Sequence, residues 1–259
     1  MNLFLTKPYN NMKCVINNVQ IDSLVTYLPK NIMEMNSLCK LYGESNVKSV
    51  MNATGVERVH IADVNETSSD MCFDAANFLF EQEQINKDEI DGLVFISQTP
   101  DYIGPATSVI LQNKLGLSQE TVCFDISYGC SGYIYGLLQA AILIGSGVCK
   151  KVLLLAGDTT SKFVNPKDRS QRMVFGDCGS ATILSSGKGN LGFHICSNGK
   201  DFDKVIIPAG GFRMPLTNET QKEIIDIDGS VRTLQDLYMD SAAVFNFIVK
   251  SGKNSIETI

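Results

Sequence analysis

The sequence predicts an α/β layered fold, because short and continuously apolar runs alternate with stretches of helical periodicity through the middle of the chain. Leu93-Val94-Phe95-Ile96 follows Asp91-Gly92 and reads as a buried strand. Val152-Leu153-Leu154-Leu155-Ala156 has no polar alternation, so it should be a central strand covered on both faces. Between them, Ile134, Leu137, Leu138, Ala141 and Ile142 recur at helical spacing within a helix expected over Ser131–Ile144, which Gly145-Ser146-Gly147 ends.

The other elements fit this frame. Pro105 opens a helical stretch, Ala106 to Leu115, closed by Gly116, and Val122–Ile126 is a further strand. Upstream, Ser69 or Asp70 can cap a helix carrying Met71, Ala75, Phe78 and Leu79. Downstream, Ser180–Ser185 reads as a strand, Gly187-Lys188-Gly189-Asn190 as a turn, and Leu191–Cys196 as the strand that opens a second half. The expected organisation is a leader over residues 1–12, a first half over 13–187 and part of a second half over 188–259.

Composition narrows the functional classes. Hydrophobic residues make up 44% and charged residues 19% of the 259 residues, the balance of a folded globular chain. A net charge of −6 argues against a nucleic-acid surface, although a local basic patch could still dock an acidic carrier protein. No apolar run reaches the length of a membrane span. The opening MNLFLTKPYNN has neither the apolar core nor the cleavage site of a signal peptide. Eight cysteines, none in a CxxC pair, sit within apolar segments. This is the usage of reduced, cytoplasmic thiols, not of a disulfide framework or zinc site. There is no GxSxG elbow of a serine hydrolase and no GxGxxG after a strand, and no cofactor is expected.

One segment carries chemistry. In Phe124-Asp125-Ile126-Ser127-Tyr128-Gly129-Cys130-Ser131-Gly132-Tyr133 a strand ends, the chain turns through small residues and a long helix begins. At a helix N-terminus, unpaired N–H groups and the helix dipole favour a thiolate, and flanking glycines let a substrate carbonyl approach the backbone. Cys130 is therefore the candidate nucleophile, able to hold an acyl group as a thioester. The two histidines, His60 and His194, read as structural residues on strands.

Four blocks, in order, give the sequence a resemblance to the ketoacyl-acyl-carrier-protein synthase III group of the thiolase superfamily. They are Thr54-Gly55-Val56 with His60-Ile61-Ala62 and Asn65-Glu66-Thr67; Ser97-Gln98-Thr99-Pro100 through Pro105-Ala106-Thr107; Asp125 through Gly136; and Phe175-Gly176-Asp177 with Gly179-Ser180-Ala181. The resemblance implies a thiolase-like layered αβαβα fold whose second half is incomplete. It implies acyl transfer to Cys130 from a coenzyme A or carrier thioester, followed by decarboxylative condensation with a malonyl-carrier in fatty-acid or related acyl-chain synthesis. A homodimer and an acyl-carrier protein are the implied partners. Thr99 would line the acyl tunnel, Gly104 would stand where many members place a bulky residue gating the partner subunit's pocket, and Arg169 would sit near the phosphopantetheine entrance.

The sequence departs from the family at several places. The family's catalytic histidine lies in a PHQAN block and its asparagine in a later GN block, and neither block occurs in these 259 residues. The expectation is a C-terminally truncated chain in which Cys130 is acylated but condensation is crippled, because the developing enolate lacks its donors. Coenzyme A-using members carry a tryptophan and an arginine before the first block; Ser49 and Ala53 stand there, which favours a carrier-bound primer. Two other readings compete: a non-catalytic remnant or partner subunit, and an acyltransferase that uses Cys130 without decarboxylation.

Overall fold

The computed structural model describes residues 12–258. The expected leader therefore lies outside the described residues, apart from Met12, which begins the first strand. The strands are β1 (Met12–Tyr27), β2 (Asn31–Glu34), β3 (Arg58–Ile61), β4 (Gly92–Ile96), β5 (Val122–Ile126), β6 (Lys151–Asp158) and β7 (Cys178–Ile195), followed by four two-residue strands. The α-helices are α1 (Cys39–Tyr42), α2 (Glu44–Thr54), α3 (Ser68–Gln82), α4 (Thr107–Leu115), α5 (Gly132–Gly145) and α6 (Ser241–Thr258).

Five strands form one sheet in the order β1-β7-β6-β4-β5. β4 lies parallel to both β5 and β6, while β6–β7 and β7–β1 are antiparallel. Val152, Leu153, Leu154 and Leu155 are fully buried, as their unbroken apolar run requires of a strand covered on both faces. The period-two alternation divides β4 and β6 between two cores. Leu93, Phe95, Leu153 and Leu155 pack with α3 and α4; Val94, Ile96, Val152 and Leu154 pack with α5. A third cluster joins Met35, Val47, Val59 and Met173.

Three local expectations are corrected. The turn expected at 187–190 is absent: β7 runs unbroken through it, paired with β1 from Met12↔Ile195 to Tyr27↔Gly179 with two register shifts. Cross-strand pairing supplies the hydrogen bonds that a glycine-rich stretch would otherwise find in a turn, and Leu191–Ile195 is the end of that same strand. The cap of α3 is Thr67, not Ser69 or Asp70. Its side chain accepts from Asp70 N while the Asp70 carboxylate accepts from Thr67 N, a capping box with Asp in the usual Glu position. Finally, the buried face of α5 is rotated from the expected stripe. Leu138 and Ala141 of that stripe are buried as expected, but so are Gly132, Gly136, Ala140 and Ile144, an i, i+4 row, whereas Ile134 and Ile142 are exposed. The small residues of that row bring the helix axis close to the sheet.

The Gly-containing block at the start of β7 has a steric basis. A Cβ built on Gly179 would stand 2.6 Å from Cys72 N and 2.6 Å from Met71 C, atoms of the α3 backbone that cannot rotate away. Gly179→Ala is expected to force α3 off the sheet and cost about 2–3 kcal/mol, the upper part of the range for overpacking. A urea-unfolding midpoint equal to that of the unsubstituted chain would refute this contact. Beside it, the buried Asp177 carboxylate accepts from Ala62 N (2.8 Å), Ser161 N (2.9 Å) and Ser161 Oγ (2.5 Å), joining three segments distant in sequence.

Candidate active site

The parallel strands β4, β5 and β6 all end at the same edge of the sheet, the edge at which open α/β sheets assemble their sites. The loops leaving these ends carry all four candidate residues: Thr99 and Gly104 after β4, Cys130 after β5 and Arg169 after β6.

Cys130 lies in the turn between β5 and α5 and is solvent-exposed. Gly132 N donates to Gly129 O at 2.7 Å, closing the turn around Cys130 and Ser131. No side chain caps the N-terminus of α5, so the first N–H groups of the helix are not taken up by the Ser131 hydroxyl. The turn is pressed onto the end of β4: a Cβ at Gly129 would collide with the Gln98 amide, and Cβ atoms at Gly132 and Gly136 would collide with the Ile96 side chain. Three of the small residues around the nucleophile are thus there because β4 lies directly beneath.

The environment of other thiols differs. Cys72 is fully buried, and burial pushes its thiol up to about 12. Burial likewise pushes the Cys149 thiol to about 11. Thiols raised in this way are poor nucleophiles at neutral pH.

Behind the turn lies a polar network that sequence reasoning missed. Asp158, the last residue of β6, accepts at Oδ1 from Gln98 N (2.7 Å), Ser97 Oγ (2.9 Å) and Thr99 Oγ1 (3.2 Å). Thr99 Oγ1 accepts in turn from Thr159 N (3.0 Å), and Ser68 Oγ donates to Thr99 O (2.7 Å). Burial raises the Asp158 carboxyl above the ordinary aspartate range, opposed by the donors from Gln98, Ser97 and Thr99. The signal available in the sequence was an aspartate closing an otherwise apolar strand. The hydroxyl of Thr99 is occupied by this network.

Arg169 is half-buried and donates from Nη1 to Asp228 O at 3.0 Å. Gly104 is exposed, with open space where a Cβ would stand. Asp125, on β5, accepts from Thr107 N (2.7 Å) and Ser108 N (2.8 Å), holding the start of α4, and thereby the loop that carries Gly104, against β5. His60 donates from Nδ1 to Pro29 O at 2.6 Å. His194 Nε2 lies 3.4 Å from Cys196 Sγ. A groove of about 460 Å3 beside the turn is lined by Tyr128, Ser131, Tyr135 and His194 among others, and the rings of Tyr128 and Tyr135 are 4.5 Å apart.

Fold and site together define a thiolase-like protein with an exposed thiol at a strand-to-helix turn. The sequence pattern of the family "3-oxoacyl-[acyl-carrier-protein] synthase III" matches residues 124–199, from the end of β5 to just beyond β7. A putative 3-oxoacyl-[acyl-carrier-protein] synthase 3 of Campylobacter jejuni is 38% identical over 214 residues, covering 82% of this chain and 60% of the relative. A β-ketoacyl-[acyl-carrier-protein] synthase III of Caldanaerobacter subterraneus is 33% identical, covering 87% of this chain and 66% of the relative. A crystal structure of a 3-oxoacyl-(acyl-carrier-protein) synthase III superposes with a TM-score of 0.89 at 33% identity, covering 93% of this chain and 73% of that one. The chain belongs to the 3-oxoacyl-acyl-carrier-protein synthase III family and spans somewhat less than two thirds of the length of these two sequence relatives. Among the described residues no helix is long and apolar enough to cross a membrane.

Proposed function

We propose that the chain performs the acyl-accepting step of a 3-oxoacyl-acyl-carrier-protein synthase III, with Cys130 as the nucleophile. The observation that carries this reading is the exposed thiol in a glycine-lined turn at the N-terminus of α5, beside the carboxyl ends of three parallel strands. The Cys130 sulfur attacks the carbonyl of an acyl thioester. The bond from that carbonyl to the donor sulfur breaks, and the donor thiol leaves with a proton. In the condensation that follows in such an enzyme, malonyl-carrier loses carbon dioxide. The freed electron pair attacks the acyl carbonyl, and the bond to Cys130 breaks to return the thiol. That step draws on the histidine and asparagine of blocks that these 259 residues do not contain.

Several features support finer points. Ser49 and Ala53 are exposed on α2 and offer no aromatic ring or guanidinium for an adenine, consistent with a carrier-bound primer. Gly104 leaves open the space that a bulky residue would fill, consistent with long or branched acyl groups. Thr99 would contribute its methyl to an acyl tunnel, and Arg169 would stand at the phosphopantetheine entrance on the loop it shares with Asp168. β5 is an outer strand of the sheet, free to meet a second copy in a homodimer. Acyl-carrier protein is the proposed partner, and a cytoplasmic location goes with this reading.

Incubation with acyl-carrier and acyl-coenzyme A thioesters of graded chain length, followed by peptide mapping, tests the proposal. An acyl adduct on the Cys130 peptide, formed fastest from long or branched carrier thioesters, is the expected result. An adduct without chain extension on adding malonyl-carrier would restrict the chain to acyl transfer. A folded chain that forms no adduct would make it a non-catalytic partner.

A further inference from the structure

We propose that Asp158 is a positioning residue for Cys130, acting through Gln98. This rests on the reading of Cys130 as the acyl acceptor and adds to it a residue that no motif around the nucleophile contains. The geometry runs in three links. Asp158 closes β6, and its Oδ1 gathers three donors from the segment that leaves β4: Ser97 Oγ, Gln98 N and Thr99 Oγ1. That segment has left the ladder of the sheet after Ser97 N, which still donates to Ile126 O at 3.2 Å, so the aspartate takes over from the neighbouring strands in fixing its backbone. With its backbone held, Gln98 lays its amide against Gly129, in the place where a side chain at 129 would otherwise stand. Gly129 is the residue before the nucleophile, and its carbonyl closes the turn by accepting from Gly132 N. Ile96, two residues before Gln98 and on the same side of the strand, supports Gly132 and Gly136. The nucleophile turn therefore rests on two side chains of one short stretch, and Asp158 determines where that stretch lies. Gln98 is itself exposed. An exposed glutamine would have no reason to stay in one place without such an anchor.

Asp158→Ala removes the acceptor of all three donors, whereas Asp158→Asn retains an oxygen that can accept from Gln98 N. The readouts are the rates at which Cys130 takes an acyl group from an acyl-carrier thioester and is alkylated by iodoacetamide, each resolved by peptide mapping. Cys39, on α1 and packed against the third cluster, serves as the internal reference for alkylation, and the fully buried Cys72 reports on folding by staying unlabelled. In Asp158→Ala the acylation rate is expected to fall about tenfold, as for a reactive group displaced by a fraction of an ångström. Alkylation of Cys130 should slow about threefold, as the sulfur leaves the end of the helix, with Cys39 unchanged. Asp158→Asn should recover most of both rates. Gln98→Ala should reproduce the loss, and the double variant should lose no more than either single one, because the two residues act in series. Wild-type rates at Cys130 in Asp158→Ala would overturn the proposal. If Cys72 becomes labelled in that variant, Gln98→Ala decides alone, and a wild-type rate there overturns it equally. Should the unsubstituted chain take up no acyl group while the alkylation effects persist, the acyl-acceptor reading falls and the positioning role stands.

Discussion

Replacing Cys130 by serine is expected to abolish acylation at position 130, with a loss of at least about a thousandfold in rate. A thiol supplies an intrinsically strong nucleophile and needs no partner beyond a site that tolerates its anion. A hydroxyl needs a base within hydrogen-bonding reach, and such a base contributes roughly 100- to 10,000-fold where it is present. No hydrogen bond from a histidine to residue 130 is present among the described residues: His60 donates its Nδ1 proton to Pro29 O, and His194 Nε2 contacts Cys196 Sγ. Residue 130 is exposed in a turn, so the substitution should leave stability within about 0.5 kcal/mol of the original. The loss of adduct can then be assigned to chemistry and not to folding. Mass spectrometry of the intact protein and of its peptides after incubation with an acyl thioester, alongside a urea titration, makes the comparison. Acyl uptake at position 130 by the Cys130→Ser chain, at near the original rate, would remove the Cys130 thiol from the proposed role.

How much of this was visible beforehand differs between the sheet and the site. β4, β5 and β6 were legible because their apolar runs coincide with the strands, most plainly in β4 and β6, which are covered on both faces. α5 was legible as a helix but its orientation was not. Periodicity marks the bulky residues and finds Leu138 and Ala141, whereas the row Gly132, Gly136, Ala140 and Ile144, which also meets the sheet, is chosen for closeness. The continuous β7 was hidden because glycines at 187 and 189 look like a turn until β1, more than 160 residues away in sequence, is seen to run beside them. Of the candidate site, the strand-to-helix turn that carries Cys130 was legible, since its glycines and the start of α5 are local in sequence. Asp158 and Gln98 were not: they lie 60 residues apart in sequence and meet only because β4 and β6 are neighbours in the sheet.

Arg232→Ala is expected to destabilise the chain by about 3–5 kcal/mol, the cost of leaving a buried carboxylate without its partner. Asp168 is completely buried. Its Oδ2 accepts from Arg232 Nη1 at 2.8 Å, while Oδ1 accepts from Ser170 N, Ser170 Oγ and Gln171 N. Arg232 also pairs through Nη2 with Asp226 and places its guanidinium 5.1 Å from the Tyr238 ring centroid. Burial alone would raise the Asp168 carboxyl; the Gln171 N–H, the Arg232 guanidinium and the Ser170 donors outweigh it and hold the group below its ordinary 3.8. A lowered carboxylate contributes stability that is present above its unfolded value and is lost as pH falls through the folded one. The gap between Arg232→Ala and the original chain should therefore be widest near neutral pH and narrow below about pH 4. Arg232→Lys should recover only part of the loss, since one ammonium cannot satisfy two carboxylates as a planar fork does. Asp168→Leu combined with Arg232→Met should cost less than Arg232→Ala alone, because no charge is left buried. The same ion pair secures the loop on which Arg169 reaches Asp228 O, so the stability loss should loosen that contact as well. Urea midpoints across a pH series from acid to neutral measure the first effect. A difference between variant and original that stays constant across that series would show that Asp168 and Arg232 do not depend on each other's charge.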